Sequence, residues 1–242
     1  MIPVEGFEAF TFEAEGFSKP VYRRGEGPAV VLIHELPGMM PECVDLGRCI
    51  ADRGYAVYMP LLFGEPMKEY GFTPLLWPCV WREFSVLSRR GRSPAADWLR
   101  ALARRAFAER GGKGVGALGM CFTGRFALSM MMDAPLIAPV LSQPSSSWSR
   151  AAMGIPAPEW DNAVKRSREE NIPVLGLRFE GDPLCRRERF ETMKEGFGER
   201  FREVVVAGDK HSVLTLNFND MTEADRARVW GELTRFLDER LR

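Results

Sequence analysis

The chain has 242 residues, enough for one α/β domain with a well-buried core, and no linker-like stretch divides it. Its 33 basic residues balance 33 acidic residues, so no overall charge recruits nucleic acid or an anionic membrane. Five cysteines, an odd number without a CxxC pair, favour reduced thiols in a cytoplasmic protein over a disulfide framework or a metal site.

Neither a leader peptide nor a membrane span is predicted. The N-terminal segment MIPVEGFEAF carries acidic residues where a secretory leader carries basic ones. The most apolar region, residues 126–141, is broken by Asp133, Pro135 and Pro139 and is too short to cross a bilayer. We therefore expect a cytoplasmic protein whose partners are small molecules.

The first part of the chain predicts a hairpin followed by a βαβ unit. Residues 7–14 and 18–24 alternate apolar and polar side chains, as an antiparallel hairpin at a sheet edge does. The β-branched run Ala29–Ile33 is typical of a strand covered on both faces. Helical spacing then predicts a helix over 43–53, and an apolar run predicts a strand over 55–59.

Residues 61–93 lack clear periodicity and are rich in proline, glycine and bulky aromatic residues. A stretch this long without a regular pattern is more often functional than incidental in a compact domain. Phe63, Phe72, Trp77 and Trp81 could line an apolar substrate pocket, or they could pack a helical lid onto the core. The sequence leaves both alternatives open.

The remainder of the chain alternates strands and helices. In chain order we predict a helix over 94–110, strands over 115–118 and 137–141, a helix over 161–170, a strand over 174–179, a helix over 186–197, a strand over 203–207 and a final helix capped by Thr222. This alternation predicts a doubly wound, mostly parallel α/β sheet with helices on both faces. We expect it to form one domain over residues 1–242.

A sharp corner of small residues between a strand and a helix carries Cys121 at its apex. A nucleophile at such a corner needs small residues on either side, and Gly119 and Gly124 meet that need. The thiol also lies at the N-terminal end of a helix, whose dipole favours the nucleophilic thiolate. Cys121 is therefore the candidate nucleophile, and the alternative is a cysteine that only packs.

Two further polar residues follow later strands. Asp182 and His211 come after predicted strands, at the sheet edge where open α/β sheets bind ligands. The order nucleophile, acid, histidine is that of the α/β-hydrolase architecture. His211 would accept the Cys121 proton and Asp182 would fix the imidazole tautomer. Backbone N–H groups of Leu36 and Phe122 would form the oxyanion hole.

Other residues compete for these roles. His34 is the second histidine of the chain, but it directly follows a buried strand and is better placed as a residue of the oxyanion loop. Asp209 and Glu180 are alternative acids, and Asp182 could simply cap the next helix. Cys185 is the competing thiol, but no small-residue corner surrounds it.

These motifs resemble the dienelactone hydrolase family of α/β-hydrolases, whose elbow reads Gly-x-Cys-x-Gly-Gly and whose glutamate follows the third strand. Gly119, Cys121 and Gly124 match the elbow, and Glu35 in HELPG matches the glutamate. The acid and histidine named above match the remaining triad positions, so the resemblance covers nearly the whole chain. It implies a hydrolase without cofactor or metal, in which Glu35 restrains the resting thiol until substrate binds.

Three residues depart from the family pattern. Thr123 replaces a glycine and Arg125 a small residue in the elbow. Thr215 stands where dienelactone hydrolases carry an arginine that anchors the substrate carboxylate. The resemblance therefore implies a less acidic, more apolar ester or lactone. The alternatives are a non-catalytic ligand-binding or thiol-sensing protein and an acyltransferase, and the oligomeric state stays open.

Overall fold

A computed structural model describes residues 1–69, 93–145, 149 and 151–242. Eight strands within these residues form one sheet. They are β1 (Glu8–Ala14), β2 (Phe17–Arg24), β3 (Ala29–Ile33), β4 (Ala56–Pro60), β5 (Val115–Met120), β6 (Leu136–Ser142), β7 (Val174–Phe179) and β8 (Phe201–Val206). Their order across the sheet is β1-β2-β4-β3-β5-β6-β7-β8.

Six α-helices accompany the strands in the described part of the chain. They are α1 (Pro41–Asp52), α2 (Pro94–Arg110), α3 (Gly124–Met130), α4 (Ala157–Glu169), α5 (Arg187–Phe197) and α6 (Glu223–Leu241). A 3₁₀ turn, Cys121–Thr123, joins β5 directly to α3. Among these helices none combines the length and the apolar composition that a bilayer crossing requires.

The sheet is mostly parallel, and the predicted fold class is confirmed. β2 pairs antiparallel with β1 and with β4, whereas every pairing from β4 through β3 to β8 is parallel. Strands β3, β4, β5 and β7 are buried along their whole length, as their continuous apolar runs require for a sheet covered on both faces.

Helices cover both faces of this sheet. One apolar core contains Trp98 of α2, Phe126 of α3 and Phe190 of α5. The core on the opposite face contains Val44 of α1 and Phe236 of α6. The carboxyl ends of the parallel strands therefore meet at one edge, between two layers of helices.

The boundaries differ from the predicted ones mainly at two elements. The helix predicted over 161–170 begins four residues earlier, at Ala157, because Pro158 fits its first turn, where a backbone N–H has no partner within the helix. The last strand begins at Phe201 rather than at residue 203. Thr222 caps α6 as predicted, and its hydroxyl accepts the Asp225 N–H at 3.1 Å.

Most of the segment 61–93 lies outside the described residues. The predicted pocket residues Phe72, Trp77 and Trp81 fall there and stay predictions. The described part, up to residue 69, contains the half-buried Phe63, whose ring meets the His34 ring edge to face at 4.5 Å.

Candidate active site

Cys121 occupies a strained corner between β5 and α3. Its φ of 52° lies in the left-handed region, which a non-glycine residue seldom adopts. A Cβ on Gly119 would lie 2.5 Å from the Thr123 carbonyl oxygen, and one on Gly124 would lie 3.0 Å from Pro144 Cβ. Gly119 therefore lets the strand and the helix approach, as the elbow pattern predicts, and Gly124 lets the start of the helix approach Pro144 in the loop after β6.

Thr123, which departs from the family pattern, supports the same corner. Its buried hydroxyl accepts the Met120 N–H at 3.0 Å. The hydroxyl also lies 3.1 Å from the Ile33 carbonyl oxygen and 2.9 Å from that of Met120, and can donate to either. The side chain thus satisfies an N–H at the turn and connects the elbow to the end of β3.

Asp182 and His211 are in direct contact. The His211 Nδ1 lies 2.8 Å from Asp182 Oδ2. The other oxygen, Oδ1, accepts the N–H groups of Leu184 at 2.8 Å and Cys185 at 2.9 Å. Asp182 therefore both caps the following turn and orients the imidazole, so the two readings of the sequence are compatible.

A ring nitrogen of His211 also lies close to the thiol. A ring nitrogen of His211, the Cys121 sulfur and a carboxylate oxygen of Glu35 lie within 4.8 Å of one another. The His211 Nε2 is buried and has no hydrogen-bond partner within the described residues. Burial alone would lower the pKa of His211, but the negative Cys121 sulfur and the hydrogen bond to Asp182 raise it well above its usual value.

Ser145 contacts the thiol directly, and sequence reasoning missed it. Its hydroxyl oxygen lies 3.0 Å from the Cys121 sulfur, and its N–H donates to the Cys121 carbonyl at 3.1 Å. Ser145 follows β6, which pairs with β5 in the sheet. The signal was present in the sequence, because polar residues that follow any parallel strand are candidates for this edge.

Glu35 is buried and held by neutral donors. Its Oε2 accepts from Gln143 Nε2 at 3.2 Å and from the Ser212 hydroxyl at 2.9 Å, while Oε1 accepts from the Thr215 hydroxyl. Thr215 thus serves the carboxylate rather than standing free for a substrate. The thiol-restraining role implied for Glu35 stays a prediction that its distance from Cys121 permits.

The competing residues are placed elsewhere or otherwise engaged. His34 is fully buried; its Nε2 accepts the Leu62 N–H at 3.1 Å, and its Nδ1 lies 3.0 Å from the Glu35 carbonyl oxygen. Burial lowers the pKa of His34 to about 4, so its ring is neutral at physiological pH. Asp209 and Glu180 are exposed, whereas Asp182 is buried against the His211 ring.

The competing thiol, Cys185, lies in an environment that makes it unreactive. Cys185 is completely buried, and this burial, together with the nearby Asp182 charge, raises the pKa of its thiol. A thiol held neutral in this way is a poor nucleophile, which favours Cys121 for that role.

Two arginines pack around the edge of the site. The Arg125 guanidinium lies 4.3 Å from the centroid of the Phe122 ring, and it donates to the Gly154 carbonyl at 3.3 Å. The buried Arg189 donates to the carbonyl oxygens of Pro144 at 2.7 Å and Leu184 at 2.9 Å. Arg189 therefore joins the loop that carries Ser145 to the loop that carries Asp182.

The predicted oxyanion-hole residues follow two neighbouring strands, β3 and β5. Leu36 is half-buried and follows β3, and Phe122 is buried directly after the nucleophile. The Thr123 contact with the Ile33 carbonyl brings the ends of β3 and β5 together. The use of both N–H groups as an oxyanion hole stays a prediction.

Solved structures share this fold along almost their whole length. A protein described as a dienelactone hydrolase from Klebsiella pneumoniae has a TM-score of 0.72 at 20% identity, covering 96% of this chain and 98% of its own. A dienelactone hydrolase-like promiscuous phosphotriesterase from metagenomic libraries has a TM-score of 0.68 at 18% identity, with 98% and 100% covered. A cold-adapted esterase from an Arctic intertidal metagenomic library has a TM-score of 0.64 at 16% identity, with 100% of both chains covered.

Sequence comparison adds the family. None of the curated proteins compared with the chain matches it. A model of the dienelactone hydrolase family matches residues 17–241, from β2 to the end of α6. With this match over nearly all of the sequence, the chain belongs to the dienelactone hydrolase family, a family of α/β-hydrolases.

Proposed function

We propose that the chain is a cofactor-free hydrolase of carboxylic esters or lactones that uses Cys121 as nucleophile, His211 as general base and acid, and Asp182 as the residue that orients the imidazole. The observation that carries this proposal is the convergence of the three side chains. The His211 ring is anchored to Asp182 at 2.8 Å while its other nitrogen faces the Cys121 sulfur at the strained elbow.

The reaction follows from these positions. The Cys121 sulfur attacks the ester carbonyl carbon, and the thiol proton is held on His211 Nε2. The N–H groups of Leu36 and Phe122 stabilise the oxyanion that forms. When the tetrahedral intermediate collapses, His211 gives its proton to the leaving alkoxide oxygen and an acyl thioester remains on Cys121. His211 then removes a proton from water as the water oxygen attacks the thioester carbonyl. The C–S bond breaks, the carboxylic acid leaves, and His211 returns the proton to the Cys121 sulfur.

The residues around the thiol favour a neutral, apolar acyl group. At position 215 a hydroxyl bound to Glu35 replaces the cation that would pair with a substrate carboxylate. An acidic acyl group would approach the Glu35 and Asp182 charges without that compensation. We therefore propose that the natural substrate is a less acidic ester or lactone than a dienelactone.

Intact-protein mass spectrometry after brief mixing with p-nitrophenyl acetate tests the proposal. We expect one acetyl group per chain, lost with time in water, together with steady release of p-nitrophenol. Cys121→Ala should abolish both the adduct and the turnover. Cys49→Ala is the matched control, because Cys49 is an exposed thiol outside the site, and it should leave both unchanged.

Two outcomes would contradict this function. A stable adduct without turnover would indicate a ligand-binding or thiol-sensing protein, and turnover that survives in Cys121→Ala would indicate another nucleophile. Adding an alcohol acceptor separates transfer from hydrolysis, because an acyltransferase would form a new ester in place of free acetate.

A further inference from the structure

Three donor atoms of different chemistry converge on the candidate active site. A carboxylate oxygen of Glu35, the sulfur of Cys121 and a ring nitrogen of His211 lie within 4.8 Å of one another. Thiolate, imidazole and carboxylate are the ligands that zinc takes in proteins, and three of them with one open position form an open zinc site. Thiolate and imidazole also disfavour the harder magnesium and calcium ions.

Two of the donors, Glu35 and His211, each have a position that none of the described residues fills. A carboxylate offers about four lone-pair positions, and Gln143, Ser212 and Thr215 use three of those on Glu35. Among the described residues only Thr215 donates to Glu35 Oε1, which leaves one lone-pair position there for an ion. His211 Nε2 is buried without a hydrogen-bond partner in the described parts of the chain.

The surrounding residues orient these donors as a metal site requires. Metal-bound histidines usually donate their second ring N–H to a carboxylate, and the His211 Nδ1 lies 2.8 Å from Asp182 Oδ2. The three hydrogen bonds to Glu35 fix its carboxylate in the same way. These contacts leave the free nitrogen of His211 and the free lone pair of Glu35 as the groups that can meet an ion near Cys121.

The distances and charges are compatible with zinc. Bond lengths of about 2.0–2.3 Å place tetrahedral ligand atoms roughly 3.5 Å apart. The three donor atoms lie within 4.8 Å of one another, so an ion between them requires the side chains to move closer together. One thiolate and one carboxylate neutralise Zn²⁺, and any proton carried by the Cys121 sulfur or by His211 Nε2 is released to solvent when the ion binds.

We propose that Glu35, Cys121 and His211 bind one Zn²⁺ ion, and that this ion reversibly blocks the nucleophile. The zinc site does not depend on the proposed hydrolase function, whereas the inhibition by zinc rests on it. The spacing of the cysteines indicates no metal site because these ligands come from three distant segments, which only the fold brings together.

The test is a titration of the purified full-length chain with Co²⁺ as a spectroscopic probe and with Zn²⁺ as competitor. We expect one ion per chain, a sulfur-to-cobalt charge-transfer band, and displacement of cobalt by zinc. Cys121→Ala should lose the band and weaken zinc binding by more than the roughly 10- to 100-fold that loss of a supporting residue causes. Thr215→Val, which removes only a support of Glu35, should fall within that range.

Controls separate this site from surface binding and from misfolding. Cys49→Ser alters an exposed thiol outside the site and should bind zinc as the wild type does. Saturating zinc should raise the Tm of the wild type but not of Cys121→Ala, and the metal-free Tm of each variant shows that it folds. Unchanged stoichiometry and band in Cys121→Ala would overturn the proposal.

The same titration distinguishes the two proposals from each other. If ester hydrolysis is absent, the charge-transfer band still reports whether the metal site exists. If hydrolysis occurs and equimolar zinc neither binds nor inhibits it, only the zinc proposal is wrong. Inhibition that a chelator reverses, and that Cys49→Ser retains, supports the regulation of the site by zinc.

Discussion

The buried carboxylate beside the thiol depends on uncharged neighbours. Glu35 accepts hydrogen bonds from an amide and two hydroxyl groups, and no arginine of the described residues pairs with it. Such donors hold the carboxylate in place without adding a cation to the pocket. Thr215, where the family pattern has an arginine, therefore supports Glu35, and the proposed preference for a less acidic substrate rests on the same residue.

Ser145→Ala tests the contact between the hydroxyl and the sulfur. A hydrogen bond contributes about 0.5–1.5 kcal/mol, so losing it should slow alkylation of Cys121 by iodoacetamide by roughly 2- to 10-fold. The measurement is the second-order alkylation rate at fixed pH. The acylation rate with an activated ester should fall in parallel.

Ser167→Ala is the control for the loss of a buried hydroxyl. Ser167 lies in α4 and donates to the Ile172 carbonyl at 2.7 Å, away from the thiol. It should reduce stability without changing the alkylation rate. Equal alkylation rates for the wild type and Ser145→Ala would show that the hydroxyl does not act on the sulfur.

At the scale of elements, the elbow connects two neighbouring strands. The turn after β5 holds Cys121 at positive φ, and Thr123 joins that turn to the end of β3. A threonine is tolerated at a position that demands a small side chain because its hydroxyl replaces interactions that the turn would otherwise lack. The whole side chain is buried.

Thr123→Val tests this role. Valine keeps the volume but leaves the buried Met120 N–H without its acceptor, which should lower the free energy of unfolding by about 1–3 kcal/mol. Chemical denaturation measures this change. Thr123→Ser retains the hydroxyl and should lose less stability, so equal losses in the two variants would contradict the hydrogen-bond explanation.

The sequence predicted the elements and the three candidate catalytic residues because each follows a strand in a recognisable order. Ser145 and Gln143 follow β6, which makes them candidates for this edge, but their partners Cys121 and Glu35 depend on the order of β3, β5 and β6 in the sheet. The Thr123 contact with Ile33 has the same origin, since β3 and β5 are neighbours in the sheet but distant in the chain. The spacing of residues along the chain does not predict which strands are neighbours in the sheet.

At the scale of the whole molecule, each of five parallel strands is followed by one residue of the candidate site. Glu35 follows β3, Cys121 follows β5, Ser145 follows β6, Asp182 follows β7 and His211 follows β8. The sheet must therefore stay intact at its edges for the site to keep its geometry. Contacts between the helices and the outer strands contribute to that integrity.

Glu109 makes one such contact, and it predicts a pH dependence. This residue of α2 accepts from Tyr58 of β4 at 2.6 Å and from Arg23 of β2 at 3.1 Å. Partial burial would raise the pKa of Glu109, but the hydrogen bonds from Tyr58 and Arg105 and the charges of Arg105 and Arg23 lower it below 4.5. As the pH falls, Glu109 is protonated in the unfolded chain before it is protonated in the folded chain. Its contribution to the free energy of unfolding is therefore complete above pH 4.5, and it is lost as the pH falls to the lower pKa of the folded state.

Glu109→Gln should therefore reduce the free energy of unfolding by about 1 kcal/mol at pH 7, a modest value because the carboxylate is partly exposed. The difference from the wild type should shrink as the pH falls below 4.5. Denaturation curves at a series of pH values measure it, with Glu195→Gln as an exposed-glutamate control. A difference that stays constant with pH would contradict the assignment.

Arg189 has a dynamic consequence for the site. Its guanidinium binds carbonyl groups of Pro144 and Ser149 in one loop and of Leu184 in another, so neither loop can detach without breaking contacts that also hold the other. Amide hydrogen exchange in the two loops should then report a shared opening event with a common free energy. The serine beside the thiol and the acid behind the histidine would be exposed or protected together, as one cooperative unit.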